Sequence, residues 1–334
     1  MHVDTAARFT TRVFQEGDEA AILDLFARAF GTLRTREHFD WKYRHNPFGN
    51  QRISVAVDDQ GRVVAHYAGV PLPFVDAGTS LTAHHIGDIM SDPAVRHAGR
   101  GASSVFGRTA LHFHDHFCEG QVAFNYGFHT AASRGMSIRF LNAQYVEPVP
   151  LRIRDLVRFP LPPVSRLQGS LRGYRVAPMR DASSDLDRFF ARVASDYEFL
   201  LRRDATYIRW RHLDCPDPGA FVVTIHKFGQ LAGWSAFRVR GEQLIWGDAL
   251  FDRLHPDAAS VLLRSVVAQY RVTSIAAWFP PRPQWFDSVL RDLRFLNAAD
   301  PNDLSLSCNP FTRADASRRM AATLYYTMAD SDLF

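Results

Sequence analysis

One short pattern occurs twice in this chain. Trp41-Lys42-Tyr43-Arg44-His45-Asn46-Pro47 and Trp210-Arg211-His212-Leu213-Asp214-Cys215-Pro216 both read W-[KR]-[YH]-x-x-x-P. Each copy follows an apolar stripe of helical period. The first stripe is Ile22, Leu23, Phe26 and Phe30 within residues 17–30. The second is Leu186, Phe189, Phe190, Val193, Tyr197, Leu200 and Leu201, read as one long amphipathic helix. An internal repeat limits the fold more than any single motif, because both copies must solve the same packing problem.

The elements after each copy keep the same order. In the first half, Ile53, Val55 and Val57 alternate as a strand, and Asp58-Asp59-Gln60-Gly61 is a turn. Strands Val63–Val75 and Ala83–Met90 follow, the latter holding Gly87-Asp88. A helix from Gly101 puts Phe106, Ala110, Phe113 and Phe117 on one face; strand Gln121–Phe128 and helix His129–Leu141 come next. The second half has strands Phe221–Phe228 and Leu231–Val239, then Gln243–Leu250 with Gly247-Asp248, a helix through Val261, Leu262, Val266 and Tyr270, and strand Ser274–Phe279. The order in each half is helix, two strands, strand–loop–helix, strand.

The halves differ in the loop after the Gly-Asp strand. In the first, Arg96-His97-Ala98-Gly99-Arg100-Gly101 reads R-x-x-G-x-G. A strand feeding a glycine-rich loop that opens a helix is a phosphate cradle: free backbone N–H groups and the positive end of the helix dipole converge there. Gly99 and Gly101 permit a close ligand approach that a Cβ would block. Neither the P-loop pattern nor G-x-G-x-x-G is present. The second half reads Ala249-Leu250-Phe251-Asp252-Arg253-Leu254-His255-Pro256 at this place, without glycines.

On the loop and the element order, the chain resembles the GNAT acyltransferase family across nearly its whole length, as a tandem pair. The resemblance implies an α+β fold of two GNAT-like domains, each a mixed, mostly antiparallel sheet flanked by helices. Residues 1–155 would form the domain with the cofactor loop, 156–180 a basic proline-containing connection, and 181–334 a degenerate second domain. The resemblance further implies acetyl-CoA or another acyl-CoA as co-substrate. Ile89 and Met90 would supply backbone to the pantetheine arm and thioester. Arg96, His97, Ala98, Gly99, Arg100, Gly101 and Ala102 would hold the pyrophosphate, and Asn125 would reach the pantetheine arm.

Two proton-transfer roles remain. Asp88 is the expected base, with a buried ion-paired aspartate as the structural alternative that the matching Asp248 supports; His85 is the next candidate. The family's tyrosine acid is missing from residues 129–141, so Tyr126 is the choice, with Ser133 or solvent in reserve. Trp41 and Trp210 are read as packing residues. His112 and His116 share a helix face but lack the H-E-x-x-H context of a zinc site, so no metal is expected. The acidic end, Asp330, Asp332 and the carboxylate of Phe334, is read as a frayed, solvated tail, with a role toward a cationic amine substrate as the alternative.

Composition narrows the class. A chain of 334 residues suggests two domains, and 46% apolar with 22% charged residues is globular. The net charge of +4 suits an anionic small ligand, while the scattered arginines exclude a nucleic-acid footprint. Arg152, Arg154, Arg158, Arg166, Arg172, Arg175 and Arg180 are read as a solvated linker, with polyanion binding as the alternative. Three distant cysteines and no signal or membrane segment suggest the cytoplasm. The expected activity is acyl transfer to a small-molecule primary amine, with no nucleic acid or membrane partner and a homodimer left open. The alternatives are transfer from aminoacyl-tRNA or acyl carrier protein, and a non-catalytic acyl-CoA sensor.

Overall fold

The repeat becomes two mixed sheets in the computed structural model, which describes residues 9–95, 99, 101–162 and 173–334. The strands are β1 Phe9–Val13, β2 Arg52–Asp58, β3 Val63–Asp76, β4 Thr79–Ser91, β5 Phe124–His129 and β6 Gln144–Pro148. There follow β7 Leu151–Asp155, β8 Tyr174–Pro178, β9 Phe199–Leu201, β10 Ala220–Lys227 and β11 Gln230–Arg240. The last are β12 Gln243–Phe251, β13 Ser274–Trp278, β14 Leu296–Ala298, β15 Ser305–Pro310 and β16 Leu324–Tyr325. The chain divides into two compact units: residues 1–73, 81–147 and 304–318, and residues 74–80, 148–303 and 319–334.

In the first unit the strand order is β1-β2-β3-β4-β5-β15-β6. The β4–β5 pairing is parallel and joins Ala83–His85 to Phe124–Tyr126. A parallel step needs a crossover; after helices α1 (Glu19–Phe30) and α2 (Arg36–Phe39), helix α3 (Val105–Phe117) supplies it. Its Phe113 and Ala110 are fully buried with Tyr67, Ile86 and Val122, which is the expected core face. Ser104 caps α3 by accepting from the Gly107 amide at 3.0 Å.

In the second unit the order is β14-β7-β13-β12-β11-β10-β8, again with one parallel step, β12–β13. The insertions are reciprocal. Chain from the end of the sequence, β15, lies between β5 and β6; chain from the middle, β7, lies between β13 and β14. The compact units therefore depart from the linear division at 155. Arg152 and Arg154 are not part of a solvated linker: they sit on β7, buried, and Arg152 donates to Asp287 at 2.7 Å and to the Phe279 carbonyl at 3.1 Å.

Other boundaries shift as well. The second stripe is not one helix. It forms helix Ser184–Val193, a single 3-10 turn and then β9, broken where Glu198 takes a φ of +62°. His129 ends β5 instead of starting a helix, and α4 covers residues 131–140. Trp41 and Trp210 are buried as expected, each in a π-helical turn, Asp40–Arg44 and Arg209–Leu213. Among the described residues no helix is long and apolar enough to cross a membrane.

Candidate functional site

The loop between β4 and α3 is built around its glycines. Gly99 has φ +77° and Gly101 φ +57°, the left-handed region that a side chain disfavours. A Cβ on Gly99 would lie 2.6 Å from the Ser103 carbonyl oxygen, and one on Gly101 would lie 2.5 Å from the Phe140 ring. Gly101 and Ala102 begin the 3-10 turn Gly101–Ser103 that leads to the Ser104 cap. Gly107 brings the first turn of α3 against the loop: a Cβ there would be 2.3 Å from the Gly101 carbonyl. Ile89 and Met90 lie on β4 directly upstream. Arg96, His97, Ala98 and Arg100 lie outside the described residues.

Asp88 is held by cations. Lys42 Nζ and Tyr43 Oη each donate to Asp88 Oδ2 at 2.9 Å, and Arg34 Nη1 stands 3.4 Å from Oδ1. The π-helical turn presents Lys42 and Tyr43 side by side to the carboxylate. Asp88 itself has φ +50°, a left-handed backbone that a non-glycine residue rarely adopts. His66 Nδ1 donates to the Asp88 carbonyl at 2.8 Å. Burial alone would raise this carboxyl, but the charges of Lys42 and Arg34 and the Lys42 hydrogen bond outweigh it and hold it far below the carboxylate range. A group so acidic is a poor proton acceptor at neutral pH.

The other site residues lie on β4, β5 and α4. His85 pairs with Tyr126, and their rings are 5.2 Å apart. Tyr126 is 3% exposed and packs between Phe124 and Phe128. Asn125 points to the other face of β5 and is fully buried. Its amide donates to Cys118 Sγ at 3.3 Å, and its oxygen lies 3.1 Å from His84 Nδ1. That spends the Asn125 side chain inside the core. Ser133 Oγ donates to the Thr130 carbonyl at 3.2 Å. His112, on α3, lies 2.9 Å from Ser54 Oγ, with its ring stacked on that of His116.

Residues 10–130 match the family of acetyltransferase (GNAT) domains. Solved structures share the fold of nearly the whole chain. A GCN5-related N-acetyltransferase from Anabaena variabilis is 12% identical, with a TM-score of 0.65, over 90% of this chain and 72% of that one. A GCN5-related N-acetyltransferase from Kribbella flavida is 16% identical, with a TM-score of 0.62, over 92% and 72%. The N-myristoyltransferase of Saccharomyces cerevisiae, solved with bound myristoyl-CoA, is 11% identical, with a TM-score of 0.56, over 91% and 82%. No curated protein matches.

The second GNAT-like unit reproduces the Asp88 cluster with other residues. Asp248 accepts from Arg203 Nε at 2.8 Å, His212 Nε2 at 3.0 Å, Tyr207 Oη at 3.2 Å and Thr327 Oγ1 at 3.0 Å. Burial again opposes ionisation, and Arg203 with His212 overrides it, so Asp248 is also held far below the carboxylate range. The acidic end is not frayed. Asp330 is buried and bound to Arg203 at 2.5 Å, while Arg211 donates to the carbonyls of Ala329, Ser331 and Phe334. Burial raises the Asp330 carboxyl, against the pull of Arg203.

This end fills the second unit around its bulge. The Phe334 ring covers Gly247, where a Cβ would fall 1.9 Å from it. Tyr325 Oη donates to the Ala249 carbonyl at 2.8 Å; Tyr197 Oη donates to the Phe251 carbonyl at 3.0 Å and accepts from the Phe251 amide at 2.9 Å. Ala249 corresponds to Ile89 in the strand after the Gly-Asp pair. Backbone groups of β12 beyond the Gly-Asp pair are thus already bonded to this unit's own hydroxyls.

Sequence reasoning missed the arginines. Arg34 and Arg203 both lie seven residues before the repeated tryptophan, so aligning the two copies backward from Trp41 and Trp210 exposes them.

Proposed function

We propose that the first unit binds acyl-CoA, acetyl-CoA in the simplest case, and transfers the acyl group to the primary amine of a small molecule such as an amino sugar or amino acid. The observation that carries this reading is the loop at Gly99 and Gly101, where two left-handed glycines let the chain pack against Ser103 and the Phe140 ring just before α3, a helix start that suits an anionic group. The amides of Gly99, Gly101 and Ala102, with Arg96, His97, Ala98 and Arg100 by resemblance, take the pyrophosphate. The backbone of Ile89 and Met90 takes the pantetheine and polarises the thioester carbonyl. Asp88 serves as an anchor for β4 through Lys42 and Arg34.

The test is acetyl-CoA titration by calorimetry and thermal shift, followed by a thiol-release assay on glucosamine, lysine and spermidine. A ligand bound only by the native state raises the melting temperature by mass action. Binding with thiol release supports the transferase. Binding without release on any amine supports the acyl-CoA sensor, which the ion-paired state of Asp88 favours over other rivals.

A further inference from the structure

β5 ends on a buried histidine that the fold does not need. His129 is 8% exposed, and its Nδ1 has no hydrogen-bond partner among the described residues. The strand registers identify its counterpart in the second unit. Ala83 pairs with Phe124 where Gln243 pairs with Ser274, and five residues further on stand His129 and Phe279. Phe279 is fully buried against Trp246 and Phe286. A hydrocarbon ring therefore satisfies the packing at this position, and an imidazole with an open nitrogen is a cost that packing does not explain.

The position is where the cofactor strands part. β4 and β5 pair from Ala83 to His85 and from Phe124 to Tyr126, yet β4 runs on to Ser91 and β5 to His129. Gly127 makes room for the ring. A Cβ on it would stand 3.1 Å from His129 Cε1 and 3.3 Å from the Ile86 carbonyl oxygen, so imidazole and β4 backbone meet at the opening. α4 begins two residues later, and its N-cap Thr130 makes no side-chain capping bond. Unpaired amides at a helix start favour a developing anion.

The ring is neutral and keeps one nitrogen lone pair open. Its bond to the Gly127 backbone favours the protonated form, as a ring N–H donating to a carbonyl does, which leaves Nδ1 with its lone pair. Burial, with His85 on β4 and Arg134 on α4 adding like charge, pushes the imidazole down to about 4, so it is neutral at pH 7. Arg134 itself donates to Ser305 Oγ on β15 at 2.7 Å.

We propose that His129 is the proton shuttle of acyl transfer, taking over the roles expected of Asp88 and Tyr126. The inference rests on the reading of the first unit as an acyl-CoA transferase. The amine nitrogen attacks the thioester carbonyl carbon, the C–N bond forms, and the nitrogen's proton passes to Nδ1. The C–S bond then breaks with its electron pair on sulfur, and Nδ1–H returns the proton to the thiolate. The products are the amide and free CoA, and the imidazole is neutral again.

Two measurements on the full chain test this. Long-range 15N NMR follows the imidazoles while CoA and then acetyl-CoA are added. Nδ1 of His129 should shift, and Nε2 of His114, which is buried on α3 and also unpartnered, should not. In the thiol-release assay, His129→Phe, which copies the second unit, should keep the melting temperature and the acetyl-CoA affinity. Its kcat should fall roughly 10²–10⁴-fold, and the acidic limb of the pH–rate profile should vanish. His129→Gln, which keeps a polar side chain, should lose turnover equally. A His129 signal indifferent to both ligands, or either variant turning over within threefold of the parent, overturns the shuttle. A parent that binds acetyl-CoA but acylates none of the amines overturns the transfer reading instead.

Discussion

Asp88 and Asp248 show how one carboxylate position survives a change of every partner. Lys42 and Tyr43 serve the first, Arg203 and His212 the second, and in both cases the Asp is ionised because a buried cation leaves it no better state. Replacing Asp88 by Asn removes the carboxylate charge that faces Lys42, which is 3% exposed. The expected loss is about 3–5 kcal/mol in denaturant unfolding, the cost of breaking a buried pair from one side. Asp248→Asn should cost as much or more, since Arg203 is fully buried. If Asp88→Asn instead melts like the parent and only turnover falls, Asp88 is a base and not an anchor.

The buried histidines set the acid response. His84 is pushed down to about 3, and His114 and His129 to about 4, each first by burial. Between those values and the ordinary 6.5 the unfolded chain binds more protons than the native one. Stability therefore rises with pH in this window and is lost as pH falls from 6.5 toward 4. Melting temperatures measured from pH 7 to pH 4 should drop steadily. A flat profile would mean that these rings are protonated in the native state.

At the scale of elements, the loop before α3 and the filled strand β12 make opposite forecasts. Gly99→Val or Gly101→Val forces a side chain into the Ser103 carbonyl or the Phe140 ring. Each variant should retain far-UV circular dichroism yet lose the acetyl-CoA thermal shift. If both still bind CoA like the parent, the loop is not the cradle. In the second unit the Ala249 and Phe251 backbone is bonded to Tyr325 and Tyr197, and no glycine loop follows. Calorimetry should report one acetyl-CoA per chain, and a stoichiometry near two would refute this division of labour.

For the whole molecule, the reciprocal strands β7 and β15 make each sheet depend on distant chain. Without β15 the edge of β5 is unpaired and β6 loses its neighbour. A fragment of residues 1–147 should lack a cooperative melt and aggregate. Joining it to residues 304–318 through a flexible linker should restore the transition, because that segment completes the unit. Cooperative melting of the short fragment alone would show β15 to be dispensable.

By itself the sequence determined what is local or periodic. The repeated W-[KR]-[YH]-x-x-x-P, the alternating strands and the glycine loop rest on near-neighbour stereochemistry, and they were enough to identify an α+β fold of two GNAT-like units. Which strands would be exchanged could not be read, because β7 and β15 look like ordinary strands and their partners lie far along the chain. The tertiary structure also decided which polar residues meet. Asp88 is an obvious carboxylate in the sequence, but only folding brings Lys42 and Arg34 to it and removes its basicity. His129 is the reverse case: read as the start of a helix, it is the end of β5, where the fold buries its ring and leaves one nitrogen open. Charge and desolvation act through distance and burial, and those belong to the fold.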